Sequence, residues 1–383
     1  MLVAEHTKIN LLIASCKKEK SVESEETIAT ILQYSEESQE DMIHLAYYHG
    51  VLPLLYKSIK HHHTLYGLNI LKQNYQKIAR NNMLMSMELI KTIDLFKQKN
   101  ISALAFKGPA LAQIAYSDIT LRQFGDLDIL IHQKDIDSVI ELLEERHYIL
   151  DIEMQEQERE KILSTLNVIG LKHSEKNIRI EIHWRLTARN YAISWDDSKI
   201  WERYDEVIIH KQAIPTLSFE NHLLYLCVHG AKHLYERLEW LCDIDCMLRT
   251  KPAISWEEII LSAERLKVLR ILLLTLGLCE TILDLELSDR VKKEMNKDIS
   301  LVKLQEKIIA LSFTDKIQKP TGYQKFILLY SMRDSLYERL SFVYFSLFTP
   351  KFDDYKMFQL PKYLSALYPI LRVFRLGKKY LFT

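Results

Sequence analysis

Two aspartates one residue apart, Asp126 and Asp128, sit inside an apolar run that continues through Ile129, Leu130 and Ile131. On a strand, side chains two positions apart share a face, so the two carboxylates would stand together while Leu127, Ile129 and Ile131 face a core. Like charges so placed repel. A divalent cation held between them relieves the repulsion, and the alternative is a sheet face open to solvent. A second acid-bearing run, Ile178-Arg179-Ile180-Glu181-Ile182-His183-Trp184, alternates strictly between apolar and polar residues. Arg179, Glu181 and His183 therefore share one face, opposite Ile178, Ile180 and Ile182. If this strand lies beside the first, Glu181 becomes a third carboxylate at the pair. His183 on the same face would move a proton or contact a phosphate, or else be hydrogen-bonded at a sheet edge. Trp184 falls on the isoleucine face and reads as core.

A short strand from Ser102 to Phe106 stops at Lys107-Gly108, where a helix opens with Pro109 in its first turn. Backbone N–H groups and an ammonium at such a turn suit a triphosphate, although Pro109 has no N–H to give.

Around these residues the chain divides by texture. Residues 1–100 read as a helical N-terminal region, with apolar residues at three-and-four spacing from Ile70 to Leu95 and few glycines or prolines. The acidic stretch from Ser21 to Asp41 reads as a solvated helix face and a loop, with Ser35 or Ser38 as caps. Residues 101–217 carry the strands: Ser102–Phe106, Asp126–Ile131, Tyr148–Asp151, a hairpin of Val168–His173 with Ile178–Trp184, then Val207–His210 and Ala213–Leu217. Helices are expected at Pro109–Tyr116, Asp135–Glu145 and about Met154–Leu166. Residues 218–383 turn helical, opening at Ser218 as N-cap of a helix from Phe219 to Leu234. The expected fold class is α+β: a small mixed sheet with helices, flanked by helical N- and C-terminal regions.

Composition limits the function classes. Basic and acidic residues number 51 each, so no whole-molecule field draws in nucleic acid, and a nucleic-acid partner is not expected. Five cysteines in 383 residues are too few and odd in number for a disulfide framework. No run of about 18 apolar residues and no basic leader occurs, so the expectation is a cytoplasmic protein without a membrane span.

Three further clusters invite weighing. His61-His62-His63 cannot all face one ion from a helix or strand and read as a solvated loop. His229 and His233, with Cys242 and Cys246, each place two ligands one helical turn apart. A zinc site could use them, but the cysteines also fit an apolar stripe. We expect His229, Lys232, His233 and Asp243 to line the cleft over the sheet. From Tyr355 onward there is no acid, and six basic residues interleave with aromatics. This pattern suits a polyanion or membrane surface, or a helix docked on the acidic N-terminal part, which is the reading favoured here.

Taken together, Phe106-Lys107-Gly108, Tyr116, Arg122, Gly125-Asp126-Leu127-Asp128 and Glu181-Ile182-His183-Trp184 resemble a bacterial family of uncharacterised nucleotidyltransferases, within the polymerase-beta-type superfamily. The later His229-Gly230-Ala231-Lys232-His233 and Trp240-Leu241-Cys242-Asp243-Ile244 carry the resemblance to about residue 350. It implies two-metal transfer of a nucleotidyl or related phosphoryl group, with Asp126, Asp128 and Glu181 holding Mg²⁺ or Mn²⁺. It further implies nucleotide contacts from Lys107, Gly108, Arg122, His183 and Lys232, with Arg122 clamping a phosphate. The donor would be an NTP or activated nucleotide and the acceptor a small molecule or peptide. The alternative is a non-catalytic nucleotide- or partner-binding module, which Pro109 favours and the three acids oppose.

Overall fold

A computed structural model describes residues 7–18, 36–61, 68–152, 163, 165–317, 319–358, 360 and 362–381. Most of the acidic Ser21–Asp41 stretch, His62, His63 and most of the helix expected over Met154–Leu166 lie outside these residues.

The architecture is α+β. Among the described residues, four helices lead in: α1 (Lys8–Cys16), α2 (Glu36–Tyr48), α3 (Leu52–Ile59) and the 31-residue α4 (Leu68–Gln98). The chain then lays down β1 (Ala103–Ala105), α5 (Gly108–Tyr116), β2 (Leu127–Ile131), α6 (Ile136–Glu144), β3 (Tyr148–Leu150), β4 (Val168–His173) and β5 (Arg179–His183). The five strands form one mixed sheet in the order β1-β2-β5-β4-β3. β4 and β5 make the expected antiparallel hairpin, and β5 continues across to pair in parallel with β2. The intervening α6, β3 and β4 supply the long crossover that a parallel pair requires. The register matches Asp128 with Glu181 and Leu130 with His183.

One sheet face is built from Leu127, Ile129, Ile180 and Ile182. It is sealed by Leu89, Ile93 and Phe96 of α4 and by Val139, Ile140 and Leu143 of α6. Spacings of three and four on the helices and two on the strands are what let these faces meet. Trp184 is buried in this same core.

After α7 (Asp197–Glu202) and a separate hairpin of β6 (Tyr204–Ile209) and β7 (Gln212–Leu217), the chain is helical. α8 (Phe219–Lys232) is capped by Ser218, whose hydroxyl accepts from the Asn221 amide. It ends two residues before the expected Leu234, because Leu234 and Tyr235 both take left-handed backbone angles. α9 (Glu239–Thr250), α10 (Trp256–Leu266), α11 (Leu269–Leu283), α12 (Asp289–Met295) and α13 (Ser300–Ser312) follow. α14 (Gly322–Ser331), α15 (Leu336–Phe348), α16 (Phe352–Phe358) and α17 (Tyr368–Leu381) complete the described chain. Leu11, Leu12, Leu52 and Leu55 share one core with Leu241, Leu272 and Leu276, so the first and last helical regions are joined in space.

The expected docking of the C-terminal helix on the acidic N-terminal part falls mostly outside the described residues; among them, α17 docks on α15 and α16. Arg372 pairs with Asp354 at 3.0 Å and donates to the Ser346 carbonyl at 2.8 Å, and Arg375 joins the same carboxylate. Asp354 is fully buried, and these two arginines satisfy its charge from the following helix.

Buried histidines make the fold acid-sensitive. Burial pushes His222 down to about 4, and burial with the Arg237 charge pushes His49 down to about 4. Both are neutral in the fold but bind a proton below about pH 6.5 once unfolded. Their stabilisation is therefore complete above about pH 6.5 and lost as the pH falls toward 4, at about 3 kcal/mol each. Thermal melts should show Tm dropping between pH 6.5 and 4.5. A flat profile would mean that these rings titrate normally.

Candidate active site

Asp128 is held by the sheet centre. Leu127 and Ile129 on either side are driven into the core, which turns Asp128 to the opposite face, beside Glu181 on the neighbouring strand. Asp126, expected as the first residue of this strand, instead precedes β2 by one residue and is only partly buried. His183 follows Glu181 on the same face.

The charges interlock. Lys107 Nζ donates to Asp128 Oδ1 at 2.8 Å, and His183 Nε2 lies 3.2 Å from the same oxygen. Because a carboxylate only accepts, Nε2 carries the proton. Nε2 is also 3.6 Å from Glu181 Oε2, while Arg179 reaches Glu181 Oε1 at 2.8 Å and Asp151 at 2.7 Å. Burial raises Asp128, but the Lys107 ammonium and the His183 hydrogen bond outweigh it and hold the carboxyl well below its usual range. Burial would strip Lys107 of its proton, and the Asp128 carboxylate reverses this. Asp126 goes the other way: burial, then Asp128 and Glu181, push it up to about 6. One acid is thus fixed as an anion beside another that gives up its proton near neutrality.

Asp128, Glu181 and His183 each offer a ligand atom, and these atoms lie within 4.8 Å of one another. Asp128 Oδ2 is buried without a hydrogen-bond partner, as is His183 Nδ1. An unpartnered carboxylate oxygen in a cluster of hard oxygen donors fits a divalent cation, and Asp126 at the rim can add another oxygen. Among the described residues this is the one such cluster, and Cys242 and Cys246 are not part of it. Burial raises both thiols, and all five cysteines are free.

The cluster opens into a cavity of about 520 Å³. Of the residues singled out in the sequence, Lys107, Arg122, Asp126, Asp128, Glu181, His183 and Lys232 line it, and Gly108 does not. Gly108 adopts φ 53°, and a Cβ there would come 3.0 Å from the Asp126 carbonyl, so the glycine serves close packing of the turn under the acidic strand. Arg122 is fixed from behind. Its Nε donates to both oxygens of Asp243 at 3.0 Å, and Tyr116 OH donates to the same carboxylate at 2.9 Å. The motif residues Tyr116, Arg122 and Asp243 are one buried network clamping α5 and the loop before Asp126 onto α9.

The opposite wall is α8. Lys232 lies 5.3 Å over the Tyr191 ring, and no carboxylate lies within 4.0 Å of it among the described residues. Burial and the Lys107 charge lower its affinity for a proton. Burial and the Lys232 charge push His233 down to about 3, and burial and Lys107 hold His229 well below its usual value. Both rings are therefore neutral and pack with Trp240 at 5.2 and 5.3 Å. Tyr225 was not anticipated. It sits one turn before His229 on the cavity face of α8, with its ring 5.8 Å from Lys107 Nζ. The spacing of Tyr225, His229 and Lys232 was the available signal. Glu239 was also missed: it is buried at the cavity wall, where burial, partly offset by Arg237, pushes it up to about 7.

A second cavity of about 1230 Å³, bordered by α2 and α4, shares Gln123, Phe124, Gly125 and Arg237 with the first. The two spaces adjoin at the loop that leads into Asp126.

A family model described as uncharacterised nucleotidyltransferase matches residues 35–284. Among solved structures, a lincomycin-bound lincosamide antibiotic adenylyltransferase, LnuA, is similar at 20% identity and a TM-score of 0.31, covering 43% of this chain and 97% of its own. An antigenic nucleotidyltransferase-like protein from Paracoccidioides brasiliensis is similar at 14% identity and a TM-score of 0.33, covering 54% of this chain and 93% of its own. No curated protein sequence matches at comparable strength. The matched span holds every acid of the cluster and both cavity walls, and on that match, covering well over half of its length, the chain belongs to the family of uncharacterised nucleotidyltransferases.

Proposed function

We propose that the protein is a Mg²⁺- or Mn²⁺-dependent nucleotidyltransferase that moves a nucleotidyl group from an NTP or activated nucleotide to a small-molecule or peptide acceptor. The observation that carries this reading is the unpartnered Oδ2 of Asp128 inside the Asp128–Glu181–His183 cluster. Asp128 and Glu181, with Asp126 at the rim, would hold the cation. When bound, it neutralises charge on the transferred phosphorus and lowers the acceptor hydroxyl's pKa. Burial raises Glu181, but the His183 hydrogen bond outweighs it and keeps the carboxyl ionised; Arg179 orients it, and His183, between two carboxylates, holds a proton that can be passed on. Lys232, with no carboxylate of its own, supplies positive charge to donor phosphates, while Arg122 faces them from a fixed mount. The ammonium of Lys107 is shared with Asp128, so its first duty is to hold that carboxylate as an anion. The nucleotide would occupy the smaller cavity, with His229 and Trp240 as neutral surfaces for the base. The acceptor would arrive through the larger one, past Gln123 and Phe124.

The test is pyrophosphate release from each labelled NTP with Mg²⁺ or Mn²⁺, in the wild type and in Asp126→Asn and Asp128→Asn. Metal-dependent release lost in both variants supports the reading. Tight nucleotide binding without release, indifferent to metal, would instead make the chain a binding module.

A further inference from the structure

We propose that the C-terminal helices α15 and α17 dock the protein on an anionic membrane surface, without crossing it. The two helices pack together, and each leaves an apolar face exposed. On α15, Tyr337, Leu340 and Tyr344 follow one another at helical spacing, at 77%, 58% and 58% exposure. On α17, Ile370, Val373 and Phe374 do the same, with Phe374 70% exposed. Tyr368, Arg372 and Arg375 turn inward, so the outward face of α17 is not needed for its own docking. Large apolar side chains at this density on adjoining helices mark a surface meant to be covered.

Charge decides what covers it. From Arg333 to Leu381 there are nine basic and four acidic residues. The four acids are all engaged internally. Asp334 accepts from the backbone amides of Leu269 and Arg270, and Glu338 is bonded by Ser335. Asp353 and Asp354 are taken by Arg372 and Arg375. Lys356 and Lys378 have no carboxylate within 4.0 Å among the described residues, which leaves the region with surplus positive charge. A second copy of this chain would present the same sign and repel. An anionic leaflet attracts the lysines and accepts the apolar faces at its headgroup boundary, where tyrosine suits the interface with its apolar ring and polar tip. No helix among the described residues is long and apolar enough to cross a membrane, so the contact is peripheral.

Sedimentation of the intact protein with vesicles tests this without any turnover assay, so its outcome is independent of the transferase reading. Vesicles of phosphatidylcholine containing about one-third phosphatidylserine should pellet the protein, with the fraction bound falling as salt is raised. Phe374→Ser and Tyr337→Ser, at exposed positions that leave the fold unchanged by Tm, should each weaken binding by about tenfold or more. Equal binding to pure phosphatidylcholine, unchanged binding in both variants, or no pelleting would overturn the proposal. So would a concentration-dependent dimer by light scattering that Phe374→Ser abolishes, since the covering partner would then be a second copy.

Discussion

Asp128→Asn is expected to cost at least about 10³-fold in nucleotidyl transfer, the equivalent of about 4 kcal/mol of transition-state stabilisation. The substitution keeps the shape of the side chain and removes its charge, on which both cation binding and the proton on His183 depend. It also leaves Lys107 facing a neutral amide in a site where burial already penalises its charge. Leaving a buried charge without its partner costs about 3–5 kcal/mol, so Asp128→Asn should also lower Tm. The two effects can be separated. In the double variant Lys107→Met with Asp128→Asn, both charges are gone, so stability should return most of the way while transfer stays lost. Transfer that recovers together with Tm would show that the carboxylate acts only as a structural partner of Lys107, and the metal-site reading would fail.

Arg122→Ala is expected to destabilise the fold by about 3–5 kcal/mol, because it strands the fully buried Asp243. Tyr116→Phe removes one hydrogen bond to the same carboxylate and should cost only about 1–2 kcal/mol. Arg122→Lys should not rescue the alanine variant, since a single ammonium cannot reproduce the planar contact of Nε with both oxygens. Urea unfolding of the three variants checks the order. If Arg122→Ala leaves the midpoint unchanged and raises only KM for the NTP, the side chain is a phosphate clamp and not the mount described above. The prediction matters for the site because the network ties down the loop carrying Gln123, Phe124 and Gly125, which separates the two cavities and leads into Asp126.

The same residues show how far the sequence reached. Alternation of apolar and acidic residues around Asp128 and Glu181 determined which face each carboxylate would take, because a strand has a period of two and the core accepts only one of its faces. The Ser218 cap and the three-and-four spacing of α4 were legible for the same reason: a local period or a local hydrogen bond carries the information. Burying Asp126–Ile131 as a complete strand overreached by one residue. Asp126 stays at the rim with its carboxyl pushed up to about 6, a value set by neighbours that adjacency in sequence does not reveal.

Three things only the tertiary structure decided. The parallel pairing of β2 with β5 brings Asp128 and Glu181 together across a long crossover, and no local period encodes which strands become neighbours. Arg122 meets Asp243 at a separation of 121 residues, so the arginine expected to clamp a phosphate is mounted on a buried carboxylate of α9. The C-terminal arginines found Asp354 close by, which left the aromatic faces of α15 and α17 turned outward. The sequence by itself determined which residues carry charge and which faces they take. Which charges meet was decided by packing, because in a low-dielectric interior each buried ion must end beside an opposite one wherever along the chain it lies.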